Sequence, residues 1–190
     1  MKTKFMKILL ITAATLGSGL SAQSGPKSFA DRLLIELFGG TLVSMQKPLS
    51  VGGGAAIGLQ FRDFNLLLNP AGYVSDFTGD QKVVIAPSIR LEAKIPIARN
   101  LITLLPYGNI GGLMVKFKRI DGSMGKFNNA PMAEIGLGAE IPLTAEISLL
   151  PRIGFVYALV YEESESANYS GPQASVSLRY TFGRSTALDY

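Results

Sequence analysis

Ala174-Ser-Val-Ser-Leu-Arg-Tyr-Thr-Phe182 is the stretch of this chain that decides the fold. Its side chains alternate without a break, and one face carries Ala174, Val176, Leu178, Tyr180 and Phe182 while the other carries Ser175, Ser177, Arg179 and Thr181. Successive side chains of a β-strand point to opposite faces, so this pattern predicts a strand with one apolar and one polar side. We expect residues 174–182 to form the last strand of the protein.

The same alternation recurs along the chain. It is regular over 55–62, 83–95, 133–141 and 147–161, and less regular over 33–45, 64–73 and 101–117. With the last strand, the count is eight, and the sequence predicts an all-β fold. Pro87 and Pro151 each lack a backbone donor, so we expect a local irregularity in the ladder at both positions.

The connectors between these strands alternate strictly in length. Residues 62–65, 96–100 and 142–145 are short connectors, and residues 46–53, 74–82, 118–131 and 163–173 are long, polar ones. Antiparallel strands that run up and down place alternate connectors at opposite ends. One end of the molecule is therefore expected to have tight turns and the other long loops, with both termini at the tight-turn end.

The N-terminal segment has the features of a secretory signal peptide. Lys2, Lys4 and Lys7 precede an apolar run over 8–16, and small residues follow up to Ala22. We expect cleavage after Ala22, because the apolar run is far shorter than the roughly 20 residues that a spanning helix needs. The expected domains are the signal peptide (1–22) and one barrel (23–190), whose residues 183–190 form a short tail.

Composition excludes several classes of function. The chain has no cysteine and no histidine, so it contains no disulfide, no Ser-His or Cys-His pair and no histidine-bound metal. We predict no catalytic, cofactor-binding or metal site, and no enzyme activity. Three of the 18 basic residues leave with the signal peptide, so the mature chain has 15 basic residues against 14 acidic ones. That balance predicts no nucleic-acid partner.

Alternation alone fits two kinds of barrel. A soluble, lipocalin-like barrel turns its apolar face inward around a ligand, whereas a membrane barrel turns it outward to lipid. In this chain the polar face is dominated by glycine, alanine and serine, which suit the narrow interior of eight strands. Aromatic residues lie near strand ends, where the girdles of membrane barrels sit. Both observations favour a transmembrane barrel.

The mature chain resembles the small eight-stranded bacterial outer-membrane β-barrels, the group that includes OmpA transmembrane domains, OmpX and OmpW. The resemblance lies in the closing strand with its aromatic end and in the Pro-Tyr and glycine pattern of 106–113. It implies a location in the bacterial cell outer membrane, surrounded by lipid. It also implies that the barrel-assembly machinery recognises Tyr180 and Phe182.

Charged residues on the polar faces are expected to lie in the lumen. Isolated buried charges are costly, so we expect these groups to pair. The hypothesis is an ion-pair network that plugs the periplasmic half of the barrel and brings Arg179 beside Glu36. Its members are Glu36, Arg90, Glu92, Lys94, Glu140, Glu146, Arg152 and Arg179.

Three functions stay open at this point. The first is a non-enzymatic integral outer-membrane protein with a structural or surface-interaction role, in which the external loops bind an extracellular partner. The second is a narrow transport barrel for small hydrophobic solutes, with a funnel lined by Leu104, Ile110, Met114 and Val156. The third is a soluble periplasmic lipocalin-like ligand binder.

Overall fold

The computed structural model describes residues 33–43, 50–75, 81–98, 101–118, 124–161 and 166–182. The strands in these ranges are β1 (Leu33–Leu42), β2 (Ser50–Gln60), β3 (Phe64–Ser75), β4 (Gln81–Ala93), β5 (Ile95–Ala98), β6 (Ile102–Lys118), β7 (Met124–Pro142), β8 (Ile147–Tyr161), β9 (Ser166–Asn168) and β10 (Gly171–Thr181). The predicted signal peptide (1–22) and tail (183–190) lie outside the described residues. Within the described ranges, no helix is long and apolar enough to cross a membrane.

The strands form one closed antiparallel barrel. Each long strand pairs with its neighbours in sequence, and β10 pairs with both β8 and β1, which closes the sheet on itself. The short β5 extends β4 after a break at Lys94, and β9 pairs only with the end of β8. The barrel wall therefore consists of eight long strands, and the predicted eight-stranded up-and-down fold is confirmed.

The first and last strands close the barrel in the predicted register. Glu36 lies directly opposite Arg179, and Leu34 lies opposite Thr181. β10 begins at Gly171, three residues before the predicted start, because Gly171 already pairs with Val156 of β8. Phe182 follows the strand, and its backbone N–H donates to the Leu33 carbonyl oxygen at 3.0 Å.

All four predicted long loops are partly strand, since β2 begins at Ser50 within 46–53 and both β3 and β4 extend into 74–82. β7 begins at Met124 and pairs with Lys118, so much of the predicted loop 118–131 continues the β6–β7 hairpin. The predicted loop 163–173 contains β9 and the first residues of β10. Backbone pairing does not require the apolar alternation that marks a lipid-facing strand, which is why the sequence pattern stopped short of these ends. Residues 44–49, 76–80, 119–123 and 162–165 lie outside the described residues.

The buried charged side chains of the strands face the lumen and the most exposed apolar side chains face outward, as predicted. Ile135 and Ile153 are 72% and 67% exposed, whereas Glu36 and Glu92 are fully buried. A soluble barrel shows the opposite arrangement. The outer surface is therefore suited to lipid, and the interior is filled by side chains.

Prolines interrupt the ladder where the sequence predicted. The β4–β6 ladder has no pair at Ala86 or Pro87, and the β7–β8 ladder has none at Pro151. Pro87 also lies opposite Pro70 of β3. A proline has no N–H to donate, so the wall has fewer inter-strand hydrogen bonds at these points.

Candidate functional site

A cluster of five charged side chains fills the lumen in the half nearest the short turns. We call it the ion-pair cluster, and it consists of Glu36 on β1, Arg90 and Glu92 on β4, Arg152 on β8 and Arg179 on β10. All five occupy inward positions of the alternation. Because β4 lies across the barrel from β10 and β1, the cluster spans the lumen.

Glu36 is held by three arginines at once. Its Oε1 atom lies 2.7 Å from Arg90 Nη2 and 2.7 Å from Arg152 Nη1. Its Oε2 atom accepts hydrogen bonds from Arg152 Nη2 and Arg179 Nη2, each at 2.8 Å. The carboxylate is fully buried. Its charge is therefore balanced by arginines from three different strands.

Glu92 is bound by the same three arginines. Arg179 Nη2 lies 2.6 Å from Glu92 Oε2, and Arg152 Nη2 lies 2.9 Å from Glu92 Oε1. Arg90 Nε lies 3.1 Å from Glu92 Oε1. Every arginine of the cluster thus bridges both glutamates, and the planar guanidinium group with its several donors suits this role.

Neutral side chains complete the polar layer. Arg152 Nη1 also donates to Ser177 Oγ at 2.6 Å, and Asn65 Nδ2 donates to Glu92 Oε2 at 3.1 Å. Glu140 lies at the edge, where its Oε2 is 3.9 Å from Arg179 Nη1. A buried charge is tolerated when it is paired and hydrogen-bonded, and every charged group of the cluster makes at least one ion pair and one hydrogen bond. Among the described residues, Arg179 Nε and Nη1 have no hydrogen-bond partner.

Two residues of the predicted network lie elsewhere. Glu146 is exposed in the turn between β7 and β8, where its carboxylate accepts a hydrogen bond from the Tyr180 hydroxyl at 2.9 Å. Lys94 occupies the break between β4 and β5, and its Nζ donates to the Phe61 carbonyl oxygen at 3.2 Å. The prediction was wrong for Glu146 because the strand β8 begins only at Ile147.

A second polar group above the ion-pair cluster was missed. Glu134 on β7 is buried, and its carboxylate accepts hydrogen bonds from the Tyr107 hydroxyl at 2.7 Å and from Asn109 Nδ2 at 3.0 Å. Alternation places Glu134 on the same face as Glu140, so the sequence contained the signal for a lumenal position. Its partners come from β6, whose inward face the sequence left ambiguous.

Glycines make room for the Tyr107 ring inside the barrel. A Cβ at Gly136 would lie 2.5 Å from the Tyr107 ring and hydroxyl, and one at Gly154 would lie 2.5 Å from the same hydroxyl. These glycines lie opposite each other on β7 and β8. The aromatic ring therefore packs against the backbone of these two glycines, and its hydroxyl donates to the Glu134 carboxylate.

An apolar layer fills the lumen towards the long-connector end. Its larger members are Leu42, Leu113, Val115, Met132, Val156 and Tyr169, all buried. The lumen therefore changes from charged to apolar along its axis, with the Glu134 group at the boundary.

Three residues of the predicted funnel lie on the outer side of the wall. Ile110 is 66% exposed, and Leu104 and Met114 alternate with the buried Leu105 and Leu113 on the same strand. Of the four predicted residues, Val156 lies inside. The prediction was wrong for β6 because both of its faces are apolar near its start, and the sequence alone did not fix which one points inward.

The acidic groups of the ion-pair cluster are bound by arginines and by neutral side chains of the lumen. Among the described residues, no group of three or more acidic side chains is placed to hold a metal ion. The carboxylates of the ion-pair cluster are occupied by guanidinium groups. The arrangement is suited to holding strands together and to obstructing the lumen.

The aromatic end of the last strand lies at the short-turn rim. The Tyr180 and Phe182 rings meet edge to face, with centroids 4.8 Å apart and an interplanar angle of 81°. Tyr180 points outward and is partly exposed. Recognition of these two residues by the assembly machinery stays a prediction.

Comparison with solved structures places the fold among small outer-membrane barrels. Neisserial surface protein A matches with a TM-score of 0.60 at 12% identity, over 79% of this chain and 96% of that one. The N-terminal β-barrel domain of Pseudomonas aeruginosa OprF matches with a TM-score of 0.52 at 19% identity, over 79% and 96%. No family model and no curated protein sequence matches the chain. The likeness shows a shared fold.

Proposed function

We propose that this chain is an integral protein of the bacterial outer membrane, with a closed barrel that does not conduct and has no enzyme activity. Its role is structural or one of surface interaction, and its long connectors carry any contact with an extracellular partner. The observation that carries this proposal is the ion-pair cluster, in which two glutamates and three arginines meet across the lumen within 3.1 Å.

The surface of the barrel supports this proposed location. Large apolar side chains are exposed on the outer face of every long strand, with Ile135, Ile153 and Ile110 more than half exposed. Exposed apolar surface of this extent is unfavourable in water and favourable in a bilayer. This supports the outer membrane over a soluble periplasmic ligand binder.

Conductance in planar bilayers tests the plugged lumen. We expect the wild-type protein to give no large, steady openings. The double variant Glu36→Gln/Glu92→Gln leaves the arginines without their carboxylates and is expected to open more often. The matched control Glu146→Gln alters an exposed carboxylate of the turn and is expected to behave as wild type. Large steady openings of the wild type would contradict the proposal.

The location has its own test. Residues 118–126 include three basic residues, Lys118, Arg119 and Lys126, so this stretch offers trypsin sites. Trypsin added to intact cells is expected to cut there, while the folded barrel keeps a heat-dependent gel mobility. Recovery of the protein in the soluble periplasm would be incompatible with the proposal.

Transport of small hydrophobic solutes is the weaker alternative. Ile110 lies outside the lumen, and the funnel predicted around it does not form. The apolar layer near the long connectors is the remaining feature in its favour.

A further inference from the structure

Glu134 is a buried glutamate that stands outside the ion-pair cluster. It is 6% exposed, and its carboxyl group contacts the Tyr107 hydroxyl at 2.7 Å and Asn109 Nδ2 at 3.0 Å, both of them uncharged groups. Within the described ranges Glu134 forms no ion pair, whereas Glu36 and Glu92 each contact three arginines. Glu134 therefore lacks the positive partner that the glutamates of the cluster have.

The buried charges of the described residues do not balance if every acid is ionised. The buried set contains four glutamates and three arginines, which are Glu36, Glu92, Glu134 and Glu140 with Arg90, Arg152 and Arg179. Glu140 lies 3.9 Å from Arg179, so Glu134 is the acid of this set without a basic partner. An unpaired buried charge is costly, and a carboxyl group in such a place takes up a proton instead.

The Asn109 amide offers an acceptor for that proton. Asn109 lies directly opposite Glu134 on β6 and is 3% exposed. Its Oδ1 has no hydrogen-bond partner in the part of the chain that the structure describes, which is unfavourable for a buried amide. The two ends of an amide have nearly the same shape, so half a turn of the group exchanges Oδ1 and Nδ2. Oδ1 then lies beside Glu134 Oε2 and accepts a hydrogen bond from a neutral carboxyl group.

The other titratable and charged groups near Glu134 come from three strands and from the apolar layer. They are Tyr107 on β6, Arg90 on β4, Arg152 on β8 and Tyr169 in the apolar layer. Each of the two arginines is already bound by both glutamates of the ion-pair cluster. The tyrosine hydroxyls carry no positive charge. None of these groups can neutralise Glu134 unless the cluster is broken.

The packing around Glu134 suits a proton better than a metal ion. A Cβ at Gly154 would lie 3.1 Å from Glu134 Oε1, and the Tyr107 ring occupies the space over Gly136 and Gly154. Val156, directly opposite Glu134 on β8, belongs to the apolar layer. A metal ion bound by oxygen atoms needs several ligands around it, whereas a proton needs no cavity.

We propose that Glu134 is a proton-binding site of the lumen. In the folded barrel at neutral pH it is a neutral carboxylic acid that donates to Asn109 Oδ1 and accepts from the Tyr107 hydroxyl. Unfolding releases the proton, because a glutamate in water is ionised above about pH 4.3. The folded barrel then binds one more proton than the unfolded chain, so its stability decreases as the pH rises. This coupling does not depend on whether the lumen conducts.

Infrared spectroscopy of the mature protein in phosphatidylcholine vesicles and deuterium oxide tests the protonation directly. A neutral carboxylic acid has a carbonyl stretching band that a carboxylate lacks. We expect this band in the folded wild-type protein at neutral pH, and we expect isotope labelling of the glutamate carboxyl carbon to shift it. Glu134→Gln is expected to remove the band, and Glu146→Gln, which changes an exposed carboxylate, is expected to keep it. The labelling experiment on the wild type needs no variant.

Urea unfolding at several pH values measures the coupling to stability. Glutamine has the shape and the hydrogen-bonding groups of the neutral acid, so Glu134→Gln is expected to fold, but it cannot release the proton. The unfolding equilibrium constant of the wild type relative to this variant is expected to rise by up to about tenfold per pH unit above about pH 4.3. The same ratio for the control Glu146→Gln is expected to stay constant.

Three results would overturn the proposal. The first is a folded wild-type protein without the carbonyl band at neutral pH, and the second is a ratio for Glu134→Gln that does not change with pH. The third is a ratio that follows the concentration of sodium or potassium instead of pH, which would assign the site to a metal cation. Gel mobility is measured on the same samples. Loss of its heat dependence would contradict the membrane barrel, and with it a lumenal Glu134, whereas the three results above contradict this proposal alone.

Discussion

At the scale of single residues, the ion-pair cluster is organised around shared partners. Glu36 and Glu92 each contact Arg90, Arg152 and Arg179, so no arginine depends on one carboxylate. Removing one charge from such a group leaves the others buried and underbalanced. The cost of that imbalance is larger than the net contribution of the intact group to stability.

Glu36→Gln is expected to destabilise the barrel by about 3–5 kcal/mol, because it keeps the shape of the side chain and removes the charge between three arginines. Urea unfolding of the protein refolded into lipid vesicles measures the change. Glu146→Gln is the matched control, since that carboxylate is exposed, and its effect is expected to stay within about 0.5 kcal/mol. Equal stabilities of the two variants would contradict a buried, charged Glu36.

Which charges face the lumen could be predicted from the sequence, but which of them touch could not. Period-two alternation placed Glu36, Arg90 and Arg179 inside, and the closing pair of strands put Glu36 beside Arg179. Contact across the lumen depends on the stagger of the strands, which sets the height of each side chain and leaves no local sequence signal. Glu146 was misplaced because alternation does not reveal where a turn ends.

At the scale of elements, the tight turn between β7 and β8 is held by one side chain. Thr144 Oγ1 accepts hydrogen bonds from the backbone N–H groups of Glu146 at 3.2 Å and Ile147 at 3.0 Å. The N–H groups of Leu143 and Thr144 in turn donate to the Ile147 carbonyl oxygen, at 2.8 and 3.0 Å. A threonine hydroxyl that bonds nearby backbone in this way favours a turn over strand continuation.

Thr144→Val is expected to lower the free energy of unfolding by about 0.5–1.5 kcal/mol, because the hydroxyl acceptor is lost while the β-branched shape is kept. Thr144→Ser retains the hydroxyl and is expected to remain close to wild type. Both values come from urea titrations in the same vesicles. A valine variant as stable as the serine variant would show that the turn does not depend on this oxygen.

Strand existence was easier to predict than strand length. The ladders at 83–95 and 147–161 correspond to β4 with β5 and to β8. Towards the long connectors, β7 begins at Met124, nine residues before the predicted start at Ala133, whereas β6 ends at Lys118, one residue beyond its predicted end. Alternation is imposed by lipid on one side and the lumen on the other. Once a hairpin passes beyond the lipid, only backbone hydrogen bonds are needed to extend it.

At the scale of the whole molecule, the protein has its apolar surface outside and its charges inside. The cost of placing a charge on the outer wall should therefore depend on its depth in the bilayer. Ile135 lies within β7 and is 72% exposed, whereas Ile97 lies in β5 beside the short turns and is 62% exposed. The two side chains match in type and exposure but differ in height along the barrel.

Ile135→Lys is expected to cost about 2–4 kcal/mol in vesicles, and Ile97→Lys about 0–1 kcal/mol, since a lysine near the interface reaches water. Unfolding titrations of both variants in the same lipid give the comparison. Equal costs would mean that Ile135 is not in contact with hydrocarbon, and would contradict the membrane orientation of the barrel.

The ion-pair cluster also bears on how the barrel can assemble. Glu36 on β1, the first strand, and its partner Arg179 on β10, the last strand, are separated by 143 positions in the sequence. A partly built sheet that lacks β8 and β10 has both glutamates but only Arg90 to neutralise them, so intermediates carry an electrostatic penalty that disappears when the final strands dock. Assembly is thereby made cooperative, and an incomplete barrel is left poorly stabilised and open to removal by proteases.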